Sequence, residues 1–384
     1  MQEYFEFGIG ARVLYKLGLA SELGPVIDEL GAQRIFIVAD KGVTAAGLLG
    51  PVIEGLRGNA EVVGIFDSVP ANSSVATVME GAAAARAAGA DMILAMGGGS
   101  PIDTAKAIRI IVTNGGHLLD YQGYNVISAR LVPMIAIPTT SGTGSEVTPY
   151  AMIRDDEQNL KLSFASRYLV PDVAILDPLL TRSLPPTLTA ATGVDALSHA
   201  IETFVSTENS SFSDGLALTA IDMIATHLRD AVQNGSDIDA RGQMLIAASM
   251  AGMACANSYF GVIHALSHAV GGKFRVHHGT AISILMPVGM RFNSAVVPER
   301  YVRIARAMGV NAGGRSDSEV IADGISAVAT LSSDCGLPTR LRDVGVPEDA
   351  LPELAAIALL DGAIYHNPRV ATEGELLELL REAW

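Results

Sequence analysis

Cysteine is nearly absent from this 384-residue chain: there are two, Cys255 and Cys335, and neither belongs to a CxxC pair. That excludes a disulfide framework and a thiolate zinc site, and it fits the reducing cytoplasm. Positive charge is also scarce, with 26 Lys and Arg against 41 Asp and Glu and a formal net charge of -15. Phosphate contacts need clustered cations, so a nucleic-acid partner is not expected, and anionic membrane surfaces are disfavoured. No apolar run approaches the roughly 18 residues of a membrane span. The opening MQEYFEFGIGARVLYK has two early glutamates and no apolar core, so it does not read as a signal peptide.

What is present is a globular composition, 49% hydrophobic and 17% charged. The length favours two domains. Short apolar runs at 34–40, 60–66, 91–96, 134–138 and 172–177 alternate with helical stretches such as 74–90. Nearly continuous apolar strands separated by helices predict βαβ units and a parallel sheet covered on both faces. The texture changes near Pro185 and Pro186. Beyond them, helical spacing predicts segments at 187–206, 212–233, 240–256, 261–272, 295–308, 317–335 and 347–360. The expected organisation is therefore an α/β domain over residues 1–185 and an all-helical domain over 186–384. A cleft between two such domains is a natural place for a small-molecule site.

Three segments of the first half carry ligand-binding signals. In DMILAMGGGSPIDTAKAI (91–108) a buried strand runs through three glycines straight into a helix. Ser100 is expected as N-cap, Pro101 at the first helical position and Asp103 in a capping-box-like place. Gly97, Gly98 and Gly99 let backbone N–H groups approach a ligand, and the helix N-terminus favours a pyrophosphate. The run is neither GxGxxG nor a Walker A loop, and a plain tight turn fits it as well. Asp40, at the end of the first strand, can serve a ribose 2′-hydroxyl, although on its own an acidic residue there reads first as a helix N-cap. IPTTSGTGSEVTPY (137–150) gathers small hydroxyl donors at a strand's carboxyl end.

The second half carries the metal signal. In GVDALSHAIE (193–202), Asp195 and His199 lie one helical turn apart on one face. In GVIHALSHAVGGKFRVHHGTA (261–281), His264 and His268 repeat that spacing, and His277 and His278 follow. Five of the chain's eight histidines fall in these two segments. Imidazoles and a carboxylate on facing helices suit a divalent cation, Fe(II) or Zn(II), with no thiolate to bias toward zinc.

Taken in order, GGGSPIDTAKA, IPTTSGTGSEVT, GVDALSHAIE and HALSHAVGGKFRVHHG resemble the iron-containing (group III) alcohol dehydrogenases, from the FGIGARV opening to the HNPR segment at 366–369. The resemblance implies a dehydroquinate synthase-like fold: an N-terminal Rossmann-like dinucleotide-binding domain and a C-terminal helical domain. It implies metal ligands at Asp195, His199, His264 and His278, the His–Gly step selecting His278 over His277. His268 matches a histidine near the nicotinamide, where it either relays the alcohol proton or shapes the pocket. Asp40 matches an acidic residue favouring NAD over NADP. Gly98, Gly99 and Ser100 match the pyrophosphate loop. Thr139, Thr140, Thr143 and Thr148 match residues around the nicotinamide riboside, and Lys161 matches a cofactor-contacting lysine. Asn72 stands in place of a family asparagine, although Ala71 and Ser73 depart from the usual pattern.

The implied activity is NAD(H)-linked interconversion of a small neutral alcohol or diol with its aldehyde or ketone, in a cytoplasmic homodimer or larger homo-oligomer. Two other readings share these features. Dehydroquinate synthase-like lyases and polyol(-phosphate) dehydrogenases handle anionic substrates, but here the metal-bearing segments offer only Lys273 and Arg275 as cations. A nucleotide- and metal-binding assembly subunit without activity is the third.

Overall fold

The computed structural model describes residues 4–158 and 160–384, which divide into two compact units. One is Ile9–Ser183; the other is Leu184–Trp384 together with the described residues up to Gly8. The opening segment thus joins the helical unit rather than the α/β half. Phe7 stacks on Phe212 at 5.3 Å, and the Gly8 N–H donates to Asn257 Oδ1 at 2.8 Å.

The strands of the first unit are β1 (Arg12–Tyr15), β2 (Arg34–Val38), β3 (Glu61–Phe66), β4 (Met92–Gly97), β5 (Gly123–Tyr124), β6 (Met134–Pro138), β7 (Tyr150–Asp155), β8 (Leu160–Ala165) and β9 (Val173–Leu176). Its helices are α1 (Gly24–Leu30), α2 (Lys41–Ala45), α3 (Leu49–Leu56), α4 (Val75–Ala87) and α5 (Gly99–Asn114). The main sheet has the order β1-β9-β6-β4-β2-β3, and every pairing in it is parallel. Alternate residues serve opposite faces, as the strand period requires. Phe36, Val38, Ile93 and Ala95 pack with Val78, Ala82, Ile102 and Ile108 of α4 and α5. Ile35, Ile37, Met92 and Leu94 pack with Val26, Ile27, Val52 and Leu56 of α1 and α3. Both faces are covered, so these strands read as continuous apolar runs.

From β2 the chain steps outward to β3, then crosses back to β4 on the other side of β2. That reversal is a topological switch point, and the carboxyl ends of β2 and β4 flank it. A second sheet, β5-β8-β7, has β5 parallel and β7 antiparallel to β8.

The second unit comprises α6 (Pro186–Val205), α7 (Ser211–Gln233), α8 (Ile238–Ser258), α9 (Val262–Phe274), α10 (His278–Ser294), α11 (Pro298–Ala307), α12 (Asp317–Asp334), α13 (Leu351–Leu359) and α14 (Glu373–Ala383). Pro186 opens α6 at its first helical position, where a proline's missing N–H costs nothing. Helix α6 is buried on nearly all sides from Thr189 onward and packs against α7, α8 and α10. Val194, Leu197, Ile201 and Phe204 are fully buried. Each contributes roughly 1.5–3 kcal/mol, and together they hold a helix that also carries Asp195, His199 and Glu202 into the interior. Among the described residues, no single helix is long and apolar enough to cross a membrane.

Candidate functional site

In the first unit, β4 delivers its buried run to Gly97, whose φ is 147°. A Cβ there would come within 2.6 Å of Pro101 Cγ and 3.2 Å of Asp40 Oδ2, so the position requires glycine. Helix α5 begins at Gly99 with Gly98 as its N-cap and no side-chain cap. The expected Ser100 cap and Pro101 start are therefore corrected, because the extended Gly98 lets the helix begin earlier.

That shift frees the polar side chains for other partners. Ser100 Oγ accepts from the Asn72 N–H at 3.2 Å. Asp103 makes no capping box; its carboxylate accepts from the Ser145 hydroxyl and, at 3.0 Å, from the Met152 N–H. The first-turn N–H groups of α5 are left without side-chain caps beside two glycines, a backbone cradle suited to a phosphate.

The remaining expected residues gather around this loop, with one exception. A Cβ on Gly98 would lie 3.3 Å from Thr140 Oγ1, and one on Gly99 would lie 3.0 Å from Thr143 Cγ2. The Thr139 N–H donates to the Gly97 carbonyl at 3.0 Å. Asn72 adopts a left-handed φ of 55°, which asparagine tolerates, and the next carbonyl, Ser73, accepts from the Arg154 N–H at 2.8 Å. Asp40 caps α2, its Oδ1 accepting from the Val43 N–H at 2.9 Å, while Oδ2 is the atom facing Gly97. The cap and the ribose readings of Asp40 thus use different oxygens. Lys161 is exposed on β8, in register with Arg154, and is not part of this cluster among the described contacts.

Sequence reading missed Lys106. Its fully buried ammonium donates to the Thr148 carbonyl at 2.8 Å, the Tyr150 carbonyl at 2.7 Å, Thr148 Oγ1 at 3.3 Å and Ser145 Oγ at 3.2 Å. It ties the hydroxyl-rich loop to α5. The signal was the Asp103–Lys106 spacing inside the glycine motif.

In the second unit, α6 and α9 bring Asp195, His199 and His264 together, all buried, with one ligand atom from each within 4.8 Å of the others. His199 Nε2 lies 3.5 Å from Asp195 Oδ1. His278 opens α10 and places its Nε2 3.4 Å from the same oxygen, with about a third of its side chain exposed. The following glycine explains how: a Cβ on Gly279 would collide with the Ala191 carbonyl of α6, so only glycine lets α10 approach this closely. His277 stays exposed ahead of the helix.

The buried donor group of one carboxylate and two imidazoles, with His278 beside Asp195, fits a divalent metal of the Fe(II) or Zn(II) kind. His199 Nδ1 is buried with no hydrogen-bond partner among the described residues. A buried polar cluster of this kind is costly unless a cation compensates it.

Three residues around the cluster were not anticipated. Glu202 accepts from the Ile263 N–H at 2.8 Å through Oε1 and is hydrogen-bonded to His264 Nδ1 through Oε2. Full burial pushes its carboxyl up to about 8. The signal was present in GVDALSHAIE, where Asp195, His199 and Glu202 share one helix face. Asp361 pairs with His268, its Oδ2 lying 2.9 Å from Nδ1, while Oδ1 accepts from the Ala363 N–H at 2.8 Å. Phe260 stacks on His264 at 4.0 Å. Asp361, 93 positions from His268, leaves no spacing signal.

Comparison with known proteins matches these features. Residues 10–178 match the family model described as iron-containing alcohol dehydrogenase. Residues 189–384 match the one described as Fe-containing alcohol dehydrogenase family, C-terminal. The chain is 39% identical to the 1,3-propanediol dehydrogenase of Klebsiella pneumoniae over 366 residues, covering 95% of each chain. It is 37% identical to the NAD-dependent methanol dehydrogenase of Bacillus methanolicus, covering 95% of this chain and 96% of that one. A solved 1,3-propanediol oxidoreductase superimposes with a TM-score of 0.97 at 37% identity over all of both chains. The chain belongs to the iron-containing alcohol dehydrogenase family, oxidoreductases of CH–OH donors that work with NAD(H) and iron.

Proposed function

We propose that this chain interconverts a small neutral alcohol or diol with its aldehyde or ketone, taking the α/β unit as the NAD domain and the helical unit as the metal domain. The observation that carries the reading is the buried convergence of Asp195, His199 and His264, with His278 at its open side. When bound, NAD supplies the hydride acceptor and the metal supplies a Lewis acid for the substrate oxygen.

The protein's own groups do the rest. Gly98, Gly99 and Ser100 present backbone N–H groups to the pyrophosphate, and Asn72 braces Ser100. Thr139, Thr140, Thr143 and Thr148 line the riboside side, with Lys106 fixing Thr148. Asp40 Oδ2 accepts from the ribose and repels a 2′-phosphate, which selects NAD. Lys161 is retained as a cofactor contact on the family resemblance alone.

His268 is the proposed proton carrier. With Nδ1 held by Asp361, its Nε2 is the nitrogen left to exchange the alcohol proton with solvent. Neutral substrates are favoured over phosphorylated ones because Lys273, one of the two cations in the metal segments, is engaged by Glu353. A cytoplasmic homo-oligomer completes the proposal, supported by the two buried free cysteines for the compartment and by family resemblance for assembly.

The test is a substrate panel on the chain reconstituted anaerobically with Fe(II), read by NADH absorbance. Turnover of simple alcohols and diols with NAD well above that with NADP is expected. Turnover confined to phosphorylated polyols, or none at full metal occupancy, contradicts the proposal.

A further inference from the structure

We propose that Glu202 is a positioning residue for the metal site, fixing the tautomer and aim of His264 through a buried carboxylate–imidazole contact. This rests on the metal reading of Asp195, His199, His264 and His278.

The simpler role for Glu202 is a cap. Its Oε1 accepts from the Ile263 N–H at the start of α9, where a carboxylate is favoured by the helix dipole. A cap accounts for the backbone hydrogen bonds, which come from Gly261, Ile263 and His264, but not for a side-chain contact. Oε2 also meets His264 Nδ1 at hydrogen-bond distance, and both side chains are almost completely buried. An imidazole with a proton on Nδ1 carries its lone pair on Nε2. One His264 ring nitrogen stands within 4.8 Å of ligand atoms of Asp195 and His199. With Nδ1 engaged by Glu202, the nitrogen offered to a cation is Nε2.

The surroundings hold Glu202 in place. A Cβ on Gly261 would lie 3.0 Å from Glu202 Oε1 and 2.5 Å from Asn367 Oδ1, so the glycine at the α9 N-cap admits the carboxylate beside the backbone. Asn367 Oδ1 in turn accepts from the Val262 N–H at 3.1 Å and from Asn293 Nδ2 at 2.8 Å. Phe260 covers the imidazole face, its ring stacked on His264 at 4.0 Å. His264 is therefore held by the Glu202 contact and by stacking against Phe260 and His199 before any cation arrives. Such outer contacts raise ligand basicity and remove rotational freedom, and losing one weakens metal affinity about 10- to 100-fold.

The same device recurs one turn along α9. His268 also places Nδ1 against a carboxylate, that of Asp361. The pairing at His264 differs in being sealed from solvent, which strengthens it and makes its loss costly.

The experiment titrates Co(II) into metal-free protein against a competing chelator, for the full chain and for Glu202→Gln, with circular dichroism confirming the fold of each. Glutamine keeps the size but offers one acceptor oxygen where the two present contacts use two. The expected result is a folded Glu202→Gln chain whose Co(II) affinity is about 10- to 100-fold weaker, with one site per chain retained. Equal affinity in the two chains overturns the role of Glu202 while leaving the metal site standing. No Co(II) binding by the unsubstituted chain overturns both. A second measurement serves if the variant does not fold: ring-nitrogen NMR of 15N-histidine in the Zn(II)-loaded unsubstituted chain. The proposal predicts a protonated Nδ1 and a metal-bound Nε2 at His264, and the reverse assignment contradicts it.

Discussion

At the scale of single residues, each unit carries side chains whose second atoms are already committed. Asp40 gives one oxygen to a helix cap, His268 gives one nitrogen to Asp361, and Ser100 takes its hydroxyl bond from Asn72. What remains free on each is a single directed group, which is how a site holds geometry before a ligand binds. For His268 the consequence is measurable. Replacing it with glutamine should lower kcat by roughly 100-fold or more if the imidazole carries the proton. Metal content should stay unchanged, since His268 is not among the proposed ligands. Unchanged kcat, measured on enzyme of equal metal content, would leave His268 with a pocket-shaping role only.

The residue scale is also where the sequence was most and least informative. Asp195, His199 and His264 were readable because helical spacing and a concentration of histidines are local patterns. His278 needed the following glycine, and its reason is visible only in space, where Gly279 lies against Ala191. Glu202, Asp361 and Lys106 escaped because a buried carboxylate or ammonium looks like any solvated charge until its partners are known. Lys106 reaches 42 positions along the chain to Thr148, and His268 reaches 93 to Asp361.

At the scale of elements, glycines decide how close two segments come. Helix α10 begins against the backbone of α6, and that contact is what carries His278 to Asp195. A valine at position 279 should therefore push the start of α10 away. The expected cost is about 1–3 kcal/mol by urea unfolding, with weaker metal binding in the same variant. Full stability and full affinity together would show that the approach is not needed. The buried strands β2, β4, β6 and β9 were legible because both faces are covered and the runs are apolar throughout. Strands β7 and β8 were not, since YAMIRD and LKLSFA mix charges into short segments on the smaller sheet. Helix α10 was missed for a related reason: Pro287 interrupts its pattern, yet the helix continues through it.

At the scale of the whole molecule, each unit has its own core and its own ligand machinery. The α/β unit uses the switch between β2 and β4 to set Asp40 beside the glycine loop. The helical unit uses the burial of α6 to bring polar groups into an apolar interior, an arrangement that a bound cation stabilises. Because imidazole ligands must be neutral to bind a cation, metal affinity should fall on acidification. The most direct measurement of the central claim is metal stoichiometry at neutral pH, in the unsubstituted chain and in Asp195→Ala. The account predicts one divalent ion per folded chain, with binding weakened at least about 100-fold in Asp195→Ala, since a ligand's loss exceeds that of an outer contact. Equal, tight binding by both chains would contradict it.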